Sequence, residues 1–120
     1  MPRDTKLAPK PGRAPRASRS KAADDLARSA RLVQGQCRVL EMIATGAPLG
    51  ETLAALVGVI EADIAGTRGS VLLLDDDGRC LRHLVAPALP EPLRRLIDGI
   101  EIGPAAASCG TAAYRGKSVF

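Results

Sequence analysis

Aromatic residues are almost absent from this chain of 120 residues, which contains one tyrosine, one phenylalanine and no tryptophan. The hydrophobic core must therefore be built from aliphatic side chains. Long hydrophobic runs are also missing, since no apolar stretch approaches the roughly 18 to 20 residues that cross a bilayer. The N-terminus lacks the apolar segment of a secretory signal. These absences predict a cytoplasmic protein that is not inserted into a membrane.

Cysteine is scarce, with three residues, Cys37, Cys80 and Cys109, and no CxxC pair among them. An odd number of widely spaced cysteines argues against a disulfide framework and against a structural zinc site. The composition is otherwise ordinary for a globular protein, with 46% hydrophobic and 25% charged residues. The length suits one small domain.

The net charge of +4 is unevenly distributed along the chain. Seven basic groups and one acid lie in residues 1–22, so the remainder of the chain carries a net charge of −2. Four of the nine prolines also lie in this basic segment. We expect residues 1–21 to form a disordered, solvated tail, because they cannot bury enough apolar surface to offset the entropy of ordering. No aromatic side chains are interleaved for base stacking, so no nucleic-acid partner is expected.

A helical pattern covers residues 22–45. Leu26, Val33 and Leu40 recur every seven residues, and each is followed four residues later by a smaller side chain, namely Ala30, Cys37 and Ala44. This stripe is typical of a two-stranded coiled coil and would give a homodimer through helix 22–45. The alternative is a helix that packs on its own domain. The sequence leaves both interpretations open.

The rest of the chain predicts an α+β domain over residues 46–120. An amphipathic helix covers residues 50–62, and a β-hairpin is formed by residues 70–74 and 79–86 around an acidic turn. A short helix over 91–97 and a brief extended piece over 100–104 follow. A segment rich in small residues covers 105–113, and 117–120 have the pattern of the start of a strand.

Three pieces of this sequence together resemble a GAF domain, of the kind found in bacterial sensor histidine kinases and cyclic-di-GMP signalling proteins. They are the helix that starts at Leu49-Gly50-Glu51-Thr52-Leu53, the hairpin around Ser70-Val71-Leu72-Leu73-Leu74-Asp75-Asp76-Asp77-Gly78, and Ile102-Gly103-Pro104 through Ser108-Cys109-Gly110-Thr111-Ala112-Ala113-Tyr114-Arg115-Gly116. The resemblance implies an antiparallel sheet of five or six strands with helices on one face, incomplete at the C-terminus here.

The same resemblance implies a sensory input module. Such a domain binds a small molecule and relays the change through the leading helix to an output domain, a histidine kinase or a cyclic-di-GMP enzyme, which this chain lacks. In the resembled fold the last segment borders the ligand cavity, so Ser108, Cys109, Thr111 and Tyr114 are the expected ligand contacts. A local alternative has Ser108 capping a short helix and Thr111 bonding back within it. Neither the ligand nor a cofactor is identified.

Two alternatives belong to other function classes. One is a thiol-dependent enzyme similar to the GAF-type free methionine sulfoxide reductases, with Cys109 as the reactive group. The other is a dimerisation module without a ligand. The lone His83 has no second ligand at metal-binding spacing and is expected to face solvent or to be hydrogen-bonded. Asp75, Asp76 and Asp77 are expected to serve the hairpin turn. No catalytic or metal site is predicted.

Overall fold

The computed structural model describes residue 12 and residues 16–120. In chain order the elements are α1 (Arg16–Ala44), α2 (Leu49–Asp63), β1 (Val71–Leu74), β2 (Leu81–Val85), α3 (Glu91–Ile97) and α4 (Ala107–Arg115). The predicted α+β class is confirmed: a long leading helix and three shorter helices accompany a two-stranded antiparallel sheet in the described residues.

The boundaries of the first helix and of the last predicted strand differ from the expectation. Helix α1 begins at Arg16, so residues 16–21 are helical and not part of a disordered tail. These residues follow the last proline of the basic segment and contain the good helix formers alanine, arginine and lysine. Gly12 is exposed and in no helix or strand, and the other residues of the predicted tail lie outside the described residues. Residues 117–120 are not in a strand, because the described part of the chain places no strand beside them.

The sheet is a hairpin with one further short partner. Leu72 lies opposite His83 and Leu74 opposite Leu81, with an irregularity in the register between Val71 and Leu72. On the other edge of β2, the Leu81 N–H donates to the Ile100 carbonyl at 2.9 Å. The predicted extended piece therefore adds to the sheet at β2.

The acidic turn of the hairpin is closed by its own side chains, as expected. The Asp75 carboxylate accepts the Cys80 N–H at 2.9 Å, and the Asp77 carboxylate accepts the Arg79 N–H at 2.9 Å. Gly78 adopts a φ of +69°, a conformation that glycine accepts without steric cost.

The small core lies where α1, α2 and β2 meet. Its buried aliphatic residues are Val39 of α1, Val57 of α2, Leu81 and Val85 of β2, and the adjoining Ala86. Because no aromatic side chain contributes, the described core is thin, and none of its side chains falls below 2% exposure. Helix α2 is therefore the layer that joins the leading helix to the sheet.

Helices α1 and α2 approach closely at Gly35. A Cβ atom placed on Gly35 would lie 2.6 Å from Cγ2 and 2.9 Å from Cγ1 of Val59, which is closer than carbon atoms can pack. Valine is stiff about χ1, so its methyl groups cannot easily move aside. The glycine in the middle of α1, unfavourable for helix propensity, is thus explained by its contact with α2.

This contact predicts opposite effects for two glycine-to-alanine substitutions. Gly35→Ala should lower the free energy of unfolding by about 1 to 3 kcal/mol, since overpacking at Val59 outweighs the gain in helix propensity. Gly58→Ala is the matched control on α2, because a Cβ there meets nothing within 4 Å. It should raise the free energy of unfolding by about 0.5 to 1 kcal/mol. Urea denaturation of both variants at one protein concentration measures the difference, and equal effects would contradict the close packing.

Candidate functional site

Helix α4 carries the four residues that were predicted to contact a ligand. It lies tightly against the segment that pairs with β2, because a Cβ on Gly110 would come within 2.8 Å of the Ala106 Cβ and 3.4 Å of the Glu101 carbonyl oxygen. Ser108 and Tyr114 are exposed, Tyr114 by 58%. Cys109 is half-buried and Thr111 is buried.

The start of α4 is held by Thr111 and not by Ser108. The Thr111 Oγ1 accepts the Ala106 N–H at 3.2 Å, and Ala106 is the N-cap residue, with no side-chain cap hydrogen bond. The expected capping role of Ser108 is therefore wrong. Thr111 does bond locally, but its partner is the N-cap residue Ala106 and not a group within the helix. Because Ser108 and Tyr114 are exposed while Thr111 is buried, the four residues do not converge on one enclosed cavity.

A groove of about 360 Å³ lies between β2 and α3 and contains His83. Both imidazole nitrogens of His83 are buried and have no hydrogen-bond partner within the described residues. The expectation that His83 faces solvent or is hydrogen-bonded is therefore wrong for its imidazole. An unsatisfied buried polar group costs about 1 to 3 kcal/mol. Sequence reasoning missed this site, since the isolated histidine carries no spacing signal.

Charged side chains of α3 form the opposite wall of this groove. Glu91 accepts hydrogen bonds from Arg94 and, at 2.9 Å, from Arg95. The bond from Arg95 is the main cause that lowers the pKa of the Glu91 carboxyl. The Asp98 carboxylate accepts the backbone N–H of His83 at 2.8 Å, which fastens the end of α3 to the sheet.

A second groove, of about 390 Å³, lies between α1 and α2. At one end Arg28 holds Asp63 with two hydrogen bonds, 2.7 Å from Nε and 2.9 Å from Nη2. This side-chain hydrogen bond is the main cause that lowers the pKa of Asp63. Arg31 and Arg38 also line the groove. The sequence alone does not predict this groove, because its arginines and small residues become neighbours only when α1 and α2 pack together.

The three residues predicted to mediate helix dimerisation are exposed on α1. Leu26 is 73%, Val33 56% and Leu40 64% exposed. The contact with α2 is made instead by other residues of α1, including Gly35 and the buried Val39. The two interpretations of this helix are therefore compatible, because packing on its own domain leaves the heptad stripe uncovered.

Among the described residues, no group of three His, Cys, Asp or Glu side chains is placed to hold a metal ion. All three cysteines are free. No helix in residues 16–120 combines the length and apolar character required to span a bilayer.

The chain is similar to a segment of a protein named methyl sulfide methyltransferase-associated sensor, from Methanosarcina acetivorans. The two are 40% identical over 89 residues, which is 74% of this chain and 9% of the relative. The chain thus spans less than a tenth of the relative's length. No protein-family model matches the chain, and no solved structure matches it.

The hydrogen bond at the start of α4 predicts a difference between two substitutions of Thr111. Thr111→Val removes the oxygen that accepts the Ala106 N–H while keeping the shape of the side chain. It should lower the free energy of unfolding by about 1 to 2 kcal/mol and speed hydrogen exchange at the Ala106 amide. Thr111→Ser keeps the oxygen and should leave that exchange slow. NMR follows the exchange of the Ala106 amide. If that amide exchanges equally fast in both variants, the assigned hydrogen bond is wrong.

The ion pair between Arg28 and Asp63 predicts a pH dependence. Because the pKa of Asp63 is lowered in the folded chain, its contribution to stability is present above the ordinary value of about 3.9 and is lost as the pH falls through the lower folded value. Urea denaturation from neutral pH to about pH 3 should therefore show a shallower loss of stability for Asp63→Asn than for the unchanged chain. Asp75 and Glu91 also have lowered pKa values and remain in both proteins. Parallel curves would contradict the role of Asp63.

Proposed function

We propose that this chain is the sensory input segment of a signal-transduction protein, in which a GAF-like domain binds a small molecule and relays the change through α1. The observation that carries the proposal is the 40% identity over 89 residues with a protein named as a sensor. The order of elements supports the GAF-like assignment, since two helices, a hairpin and a short helix follow one another as in the resemblance.

A continuous path of packed elements supports the relay. Helix α4 packs at Gly110 against the Glu101 carbonyl, and the adjoining Ile100 carbonyl accepts the N–H of Leu81 in β2. Strand β2 packs on α2, where Leu84 reaches Gly50. Helix α2 in turn contacts α1 at Gly35. A ligand that binds one arrangement of these layers better than another shifts the population of α1 positions.

The sheet supports the GAF-like assignment at the edge of β1. Within the described residues β1 pairs only with β2, so the other edge of Val71–Leu74 presents unpaired backbone groups. Exposed strand edges of this kind accept further strands. A GAF-like sheet would continue at this edge.

The proposed ligand contacts lie on α4. Ser108 and Tyr114 are the most available of the four residues, because both are exposed. Thr111 already accepts a backbone N–H and Cys109 is half-buried. Tyrosine combines an apolar ring with a hydroxyl, which suits a ligand that is partly apolar and partly polar. Nothing in residues 16–120 favours the thiol-dependent alternative at Cys109.

Titration of the chain with two probes, cyclic GMP and biliverdin, tests the ligand and the relay together. They represent the nucleotide and tetrapyrrole classes. We expect one probe to raise Tm and to change hydrogen exchange in peptides from α1 as well as from α4. Tyr114→Ala should weaken binding of that probe at least about tenfold, the loss of a 1.4 kcal/mol contact. Leu96→Ala, at a residue of α3 that is 77% exposed, is the control and should not change binding.

Two outcomes would contradict this proposal. If neither probe binds, the ligand part of the proposal is wrong. If a probe binds and exchange changes only around α4, the relay through α1 is wrong.

A further inference from the structure

Helix α1 has two apolar faces that point in opposite directions. Gly35 is nine residues from Leu26, which is about two and a half turns of an α-helix, so the two residues lie on opposite sides. Gly35 is in contact with α2, and Val39 on the same side is buried. The face that carries Leu26, Val33 and Leu40 is uncovered.

The uncovered face has the spacing and size of a helix-pairing surface. It runs from Leu26 to Ala44, about 27 Å at 1.5 Å per residue. Large residues alternate along it with the small side chains of Ala30, Cys37 and Ala44, all of which are exposed. A face with a repeat of seven residues fits another helix with the same repeat, because each side chain enters a space between four side chains of the partner.

The distribution of charge along residues 26–44 of α1 favours a second copy of the same chain as that partner. The arginines in this half of α1, Arg28, Arg31 and Arg38, line the groove with α2 on the other side of the helix. The positions that flank the heptad stripe hold Ala27, Ser29, Gln34, Gln36, Glu41 and Ile43. Only one of these is charged, so two identical helices can approach here without a row of like charges facing each other.

We propose that a second copy of this chain docks on the heptad face of α1, giving a symmetric pair of helices with one α2 packed on the outside of each. The same patch serves both subunits, as a two-fold interface requires. This pairing supplies the partner that the relay of the proposed function needs. Neither the evidence for the pairing nor its test involves a ligand.

Sedimentation equilibrium over a range of concentrations up to about 1 mM tests the pairing. We expect the mass of the unchanged chain to rise from that of a monomer to that of a dimer. Val33→Glu places a charge in the middle of the face and should raise the dissociation constant at least about tenfold. Leu96→Glu introduces the same charge at an apolar residue that is 77% exposed on α3, and it should not change self-association.

Alkylation of the cysteines with N-ethylmaleimide locates the contact. Cys37 is exposed and lies in the heptad face, while Cys80 and Cys109 are half-buried elsewhere. Cys37 should react more slowly as the concentration rises, and the rates at Cys80 and Cys109 should not depend on concentration. Because Val33 is 56% exposed, Val33→Glu should keep the helical circular dichroism of the unchanged chain.

Three results would overturn the pairing. They are a monomer at every concentration, equal dimerisation of the unchanged chain and of Val33→Glu, and a rate of Cys37 alkylation that does not depend on concentration. A failed probe titration with an intact dimer would remove the proposed ligand and leave this inference standing.

Discussion

The close approach of Gly35 to Val59 is the contact on which the arrangement of the chain depends. It brings the backbone of α1 against the side chains of α2, and α2 is the layer between α1 and the sheet. With so few aliphatic residues buried and no aromatic side chain among them, the described core offers little other packing that could fix the leading helix. Arg28 and Asp63 add a paired charge where α2 ends, but an exposed ion pair contributes modestly to stability.

That contact also determines what the rest of α1 can do. Because Gly35 and Val39 face α2, the stripe of Leu26, Val33 and Leu40 faces away from the domain. A sensor needs an element that contacts the domain on one side and a partner on the other, and α1 offers both faces in one helix. Under the proposed function, a movement of α2 would therefore reach a partner that is docked on the stripe of Leu26, Val33 and Leu40.

Much of the fold follows from local patterns, while the candidate sites depend on contacts between distant segments. The hairpin, the acidic turn and α3 are specified by neighbouring residues, so their sequence predicts them well. The start of α1 at Arg16 differs from the predicted start at residue 22, because the helix propensity of residues 16–21 outweighs the basic charge that favours a disordered tail. His83 and the role of Gly35 could not be predicted, since each is defined by side chains from another element. The heptad stripe is visible in the sequence as a repeat, but its exposure depends on which side of α1 contacts α2.

A double-mutant cycle at Gly35 and Val59 tests the central contact most directly. Val59→Ala removes the two methyl groups that a Cβ on Gly35 would strike. We predict that Gly35→Ala destabilises the unchanged chain but is neutral or stabilising when Val59 is already replaced by alanine. The coupling free energy between the two substitutions should be at least about 1 kcal/mol. If the free energies of unfolding of the two substitutions simply add, α1 does not pack on α2 at this point and the two-faced helix is wrong.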